Sequence, residues 1–88
     1  MKHIRKKRLP KFITEIVDPR TVAPGDRLAM TGYGVNVVRA ISCDEKTFSV
    51  TILQTDGIQV ISYAIGNWPE KVVRELVNGE YVDAERRI

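Results

Sequence analysis

Residues 47–65 read TFSVTILQTDGIQVISYAI, and this stretch decides the fold class. Apolar residues alternate with hydroxyl residues through 47–52, the period-two pattern of a half-buried strand. A second β-rich run covers 58–65. Asp56 and Gly57 separate the two runs, and an Asp-Gly pair favours a type I′ turn, in which both central residues have positive φ. The stretch therefore predicts a β-hairpin.

Further strands are predicted on both sides of this hairpin. Residues 12–17 are aromatic and β-branched, and 28–31 form another short strand after a Pro-Gly turn. Residues 35–42 place apolar side chains on both faces, which is typical of a central strand or of a barrel strand. The apolar set of 58–65 changes face part-way along, which predicts a β-bulge or a coiled strand of the kind found in strongly bent barrels. Residues 80–83 are expected to add a short edge strand.

One segment carries helix signals. Asn67 is a possible N-cap, Pro69 suits the first turn, and Gly79 is a possible C-terminal stop. Between them the apolar residues recur at spacings of three and four. The sequence thus predicts one helix over 69–78.

Together these elements predict a mainly β domain. The order of strands with short loops resembles the layout of a small SH3-like or Sm-like antiparallel barrel of about five strands, with one C-terminal helix. The resemblance is one of architecture and not of sequence motif. The alternative is an open antiparallel sheet covered by the helix, an α+β arrangement.

Composition limits the chain to one small domain. Its 88 residues are 43% apolar, enough for a modest core, and the single cysteine, Cys43, excludes an intramolecular disulfide. Apolar runs are too short for a membrane-spanning helix or a signal peptide. We expect a soluble, cytoplasmic protein with no membrane association.

The charge is concentrated at the N-terminus. Residues 12–88 hold eight of the 14 basic residues and all 11 acidic ones, so this part has a net charge of −3. Residues 1–11 are expected to form a basic flexible arm on the single β-rich domain of 12–88. Dense positive charge suits phosphate neutralisation, which makes nucleic acid, DNA or RNA, the leading partner. The six basic residues of the arm are Lys2, Arg5, Lys6, Lys7, Arg8 and Lys11.

Groups suited to catalysis are scarce. His3 lies in the expected flexible arm, and Cys43 is followed by two carboxylates that disfavour its thiolate. Gly32, Tyr33 and Gly34 lead into a strand, whereas phosphate-binding glycine loops precede a helix. We expect no enzyme activity, no metal site and no cofactor.

Four residues of the body are candidates to extend a nucleic-acid surface. Arg20, Arg27 and Arg39 add positive charge, although an ion pair within the fold is the favoured role for Arg39. Tyr33 is placed at a loop tip, from which an aromatic ring can stack on a base. Trp68, by contrast, is expected to pack in the core.

The sequence leaves two functions as the main candidates. The first is a small, non-catalytic nucleic-acid-binding or nucleic-acid-associated regulatory protein that uses the arm. The second is a protein-interaction module, an adaptor or inhibitor of a larger partner, favoured by the acidic body. A homo-oligomer is also open, with pairing between chains expected at the edge strands 12–17 and 80–83.

Overall fold

The computed structural model describes residues 9–64 and 66–87, which form two antiparallel β-sheets that share one core. In the first sheet the strand order is β1-β7-β2-β3, and β8 also pairs with β7. The second sheet has the order β4-β5-β6. The strands are β1 Phe12–Ile16, β2 Arg27–Met30, β3 Gly34–Val37, β4 Ala40–Cys43, β5 Thr47–Gln54, β6 Gly57–Ala64, β7 Glu70–Val77 and β8 Glu80–Asp83, and a 3₁₀ turn covers Pro19–Thr21.

The predicted hairpin of β5 and β6 is confirmed, but its turn is not the one expected. The two strands pair from Thr47 opposite Ala64 to Gln54 opposite Gly57 with no register shift, so the bulge, one of the two alternatives for 58–65, does not occur in the described residues 58–64. Gly57 has a φ of 128°, whereas Asp56 does not have positive φ. Because Gln54 pairs with Gly57, the central residues of the turn are Thr55 and Asp56, and neither has the positive φ that a type I′ turn needs.

The helix predicted over 69–78 is wrong, because this segment forms β7. The strand pairs with β1 on one side and with β2 and β8 on the other. Asn78 and Gly79 have φ values of 51° and 84°, the combination of a type I′ turn, and they connect β7 to β8. Asn78 and Gly79 thus form a hairpin turn and not a helix C-terminus, and the apolar residues of 69–78 fit the period of a strand as well as that of a helix.

The barrel prediction is also wrong, since the two sheets of the described chain are open and no ladder joins them. Residues 35–42 do not form one strand but divide into β3 and β4, which belong to different sheets. At the corner, the Val38 N–H donates to the Asp26 carbonyl and the Arg39 N–H donates to the Thr51 carbonyl, both at 2.8 Å. The chain thereby passes from one sheet to the other.

The alternative of a sheet covered by a helix fails as well, because no helix longer than the 3₁₀ turn occurs in the described residues. The core instead lies between the sheets. Leu28, Phe48, Val50 and Ile52 are fully buried there, and Val38 fills the corner. The expected edge strands are confirmed as β1 and β8. Within the described residues, no helix has the length and apolar character needed to cross a membrane.

Candidate functional site

The basic arm lies mostly outside the described residues, which begin at Leu9. Of its six predicted nucleic-acid contacts, Lys11 alone is described. Its side chain is exposed with the ammonium 5.3 Å from the centroid of the Phe12 ring. Its backbone carbonyl accepts a hydrogen bond from the Leu76 N–H at 2.8 Å. Lys2, Arg5, Lys6, Lys7 and Arg8 precede the described part, as does His3.

Arg20 is held by a carboxylate of its own turn. Its Nη2 lies 2.7 Å from Asp18 Oδ2, and its Nε donates to Oδ1 of the same carboxylate. These hydrogen bonds lower the pKa of Asp18 to about 2, so the carboxylate is ionised at neutral pH. The charge of Arg20 is largely offset, although most of the side chain is exposed.

The Arg27 side chain is mostly buried and makes its contacts within the fold. Its guanidinium forms a mostly buried ion pair with Glu75, and it lies 5.6 Å from the Phe12 ring centroid. The hydrogen bond from Arg27 lowers the pKa of Glu75, which also receives Arg87 Nη2 at 3.5 Å. Arg27 therefore ties β2 to β7 and is a poor candidate for a phosphate contact.

Arg39 and Tyr33 are exposed but do not share a site. Arg39 borders a hollow of about 270 Å³ with Pro24, Gly25 and Arg87, at the corner between the sheets. No carboxylate of the described chain pairs with Arg39, which contradicts the ion pair expected from its position in the sequence. Tyr33 borders a different hollow. The four predicted body contacts are thus not brought together.

Tyr33, Tyr63 and Trp68 do come together, around a groove of about 230 Å³ between the two sheets. Met30 and Ile61 add an apolar floor from β2 and β6. Tyr63 packs against the buried Phe48 with ring centroids 5.9 Å apart, and its partial burial raises the pKa of its hydroxyl. This contact with the core fixes one wall of the groove.

Trp68 is half exposed, at 50%, so its expected place in the core is wrong. The adjacent Pro69 is buried, and its carbonyl accepts a hydrogen bond from the Val17 N–H at 3.0 Å. On the other side, the Asn67 N–H donates to the Ala64 carbonyl at 3.0 Å. The backbone beside the indole is therefore anchored. Binding of a partner at Trp68 then costs less conformational entropy, because this backbone is already ordered.

Carboxylates border both hollows that Trp68 lines. The second hollow, of about 380 Å³, is also lined by Asp44, Glu45 and the ion pair of Asp18 with Arg20. Hydrogen bonds from the Lys46 and Thr47 backbone N–H groups lower the pKa of Asp44. Glu70 borders the first groove. We call this combination the Trp68 surface, which comprises Tyr33, Tyr63, Trp68, Asp44, Glu45 and Glu70.

A buried carboxylate, which the sequence did not single out, joins three separate segments. Asp26 is buried at the start of β2 and accepts a hydrogen bond from the Ala23 N–H at 2.9 Å. Arg86 Nε lies 3.0 Å from Oδ1, and Lys71 Nζ lies 3.5 Å from Oδ2. All of these contacts are internal, so Asp26 has a role in stability.

The described residues contain no cluster of three His, Cys, Asp or Glu side chains able to hold a metal ion. Cys43 is exposed beside Asp44, and its thiol lies 3.7 Å from the Asp44 carbonyl oxygen. Comparison with protein-family models, with curated proteins and with solved structures gave no significant match.

Proposed function

We propose that this chain is a small, non-catalytic protein-interaction module, located in the cytoplasm, that binds an extended Lys- or Arg-containing segment of a larger protein. One observation carries the proposal: the half-exposed Trp68 lies between an aromatic groove and a hollow lined by carboxylates. Exposed tryptophan and tyrosine side chains are the typical energetic centres of protein interfaces.

The chemistry of the surface favours a cationic partner. An indole face attracts guanidinium and ammonium groups, and nearby carboxylates complement the same charge. In the second hollow this charge comes from Asp44 and Glu45, because Asp18 is already paired with Arg20. Phosphates, by contrast, are repelled by Asp44, Glu45 and Glu70, so the Trp68 surface is better suited to a basic peptide than to nucleic acid.

Replacement of Trp68 tests this proposal. The probe is a labelled peptide of repeated Arg-Leu-Pro-Lys units, which supplies the basic side chains that the proposal requires. It should bind the full chain. Trp68→Ala should weaken the affinity at least about 30-fold, because truncation of a central aromatic residue typically costs about 2 kcal/mol or more. Fluorescence anisotropy measures both affinities. Val82→Ala removes an exposed apolar side chain of β8 and serves as the control, with affinity unchanged. Equal binding by Trp68→Ala, or no binding by the wild type, contradicts the proposal.

A second candidate function is binding to DNA or RNA, and the six basic residues among the first eleven favour it. With about six phosphate contacts, the slope of log K against log [salt] on duplex DNA approaches about −5. Pro10 and Lys11 offer their carbonyls to Tyr81 and Leu76, so a truncation should stop before them.

Removal of residues 1–8 tests the nucleic-acid function while leaving these two contacts in place. The shortened protein should lose retention on heparin and the electrophoretic shift of single- or double-stranded DNA or RNA at low salt. The Arg-Leu-Pro-Lys peptide should still bind it, since the Trp68 surface is intact. Retention equal to that of the full chain would rule out the arm as the nucleic-acid contact.

A further inference from the structure

Most sheet edges in the described chain are protected against pairing with another chain. β3 and β4 are only four residues long, and Arg39 and Asp44 bracket β4. β8 is equally short and carries Glu80 and Asp83, while β1 carries Glu15. Short edges and edge charges are the usual devices that prevent association through exposed backbone groups.

β6 has none of these devices. It is an edge strand of eight residues, contains no charged residue and no proline, and pairs with β5 without a bulge. It also lies within residues 57–69, a run of 13 residues with no charge. A long, regular and uncharged edge exposes a row of backbone donors and acceptors that can continue the sheet.

The outer face beside this edge is apolar. Ile58 and Val60 of β6 are 71% and 63% exposed, and Leu53, opposite Ile58 on β5, is 59% exposed. The neighbouring side chains Thr51 and Ser62 are uncharged. Exposed apolar side chains grouped on one face indicate an interaction site more strongly than the same residues scattered singly.

We infer that β6 pairs antiparallel with β6 of a second copy, with Val60 opposite Val60 of the partner subunit. Antiparallel pairing of a strand with itself is two-fold symmetric, so each subunit offers the other the same edge and the assembly closes as a dimer. No like charges meet in this arrangement, because β6 carries none. The two three-stranded sheets become one six-stranded sheet, and the two apolar patches become continuous.

The proposed dimer pairs through β6 and not through the edge strands expected from the sequence, residues 12–17 and 80–83. Both of those strands carry charged residues, Glu15 in the first and Glu80 and Asp83 in the second. A second copy is favoured over an unrelated strand because two β6 edges have no charges that would repel each other when they pair. The dimer does not depend on the peptide-binding function proposed above.

Sedimentation of the full chain at several concentrations tests the dimer. The wild type should approach twice the 10.0 kDa mass of the chain at the highest concentrations. Val60→Lys should raise the dimer dissociation constant at least about tenfold, because two ammonium groups then face each other across the pair. A wild-type protein that stays monomeric throughout overturns the inference, whatever else binds β6.

Ile16→Lys is the matched control, since Ile16 is 67% exposed on the β1 edge and the change introduces the same charge. This variant should dimerise like the wild type, and circular dichroism should show that both variants keep the fold. Equal weakening of the dimer by both substitutions would contradict the assignment to β6. Binding of the Arg-Leu-Pro-Lys peptide to Val60→Lys is measured separately, so a failure of the dimer is distinguished from a failure of the Trp68 surface.

Discussion

Phe48→Ala should lower the free energy of unfolding by about 3–5 kcal/mol, the usual cost of removing a buried phenyl ring. Phe48 is fully buried on β5 and packs against Tyr63 of β6. Its loss leaves a cavity in the core that both sheets share. A domain of this size has only a few kcal/mol of stability, so a large part of the variant should be unfolded at 37 °C. Urea denaturation followed by circular dichroism measures the loss.

Ile16→Ala is the control for this variant, because it removes aliphatic atoms from an exposed side chain at the edge of β1. Its effect on unfolding should stay within about 0.5 kcal/mol, as for most surface substitutions. A loss of less than about 1 kcal/mol for Phe48→Ala would contradict the position of the shared core.

Asp26→Ala should cost about 1–3 kcal/mol of stability, although the side chain it removes is polar. The carboxylate is buried and serves the Ala23 N–H, Arg86 and Lys71. Its removal leaves a part-buried N–H without its acceptor and Lys71 without its partner, both of which are costly. Loss of the Arg86 contact costs less, because the Arg86 side chain is 55% exposed and solvent screens its charge. Urea denaturation again gives the value.

Asp26→Asn separates the two contributions. An amide oxygen can still accept from the Ala23 N–H, but the attraction to Arg86 and Lys71 is lost, so the cost should fall between those of wild type and Asp26→Ala. Glu80→Ala changes an exposed carboxylate and should be close to neutral. If Asp26→Ala were no more destabilising than Glu80→Ala, the three contacts would not contribute as described.

The sequence predicted the second sheet better than the first. Phe48, Val50 and Ile52 alternate strictly, and one face of β5 is buried as that alternation requires. The segment of β7 is ambiguous, since its apolar residues fit either period. Pairing with three other strands decides in favour of a strand, and such tertiary contacts are not visible in a local pattern.

The candidate site was harder to predict than the strands. Whether Trp68 is buried depends on how β6 and β7 are joined around Pro69, and the wrong assignment of a helix placed the indole in the core. A usable signal was present in the charge pattern. Residues 28–38 and 57–69 are the two longest stretches without a charged residue, and they supply Tyr33, Tyr63 and Trp68 of the groove.

Arg27 shows the opposite error. The sequence predicts Arg27 as a contact to nucleic acid. The register of β2 and β7 instead brings it to Glu75, and both side chains are mostly buried. Its partner lies 48 residues further along the chain, so no local pattern reveals the pair. Counts of basic residues therefore overestimate the charge that the body can offer to phosphates.

Trp68 provides the most direct measurement of the central claim, because it is the single tryptophan of the chain and its fluorescence reports the proposed surface alone. Titration of the full chain with the unlabelled Arg-Leu-Pro-Lys repeat should change the emission and saturate, since a bound peptide displaces water from a half-exposed indole. A control peptide with glutamate in place of each basic residue should leave the emission unchanged. An unchanged emission with the basic peptide, or equal changes with both peptides, would contradict recognition of a cationic segment at Trp68.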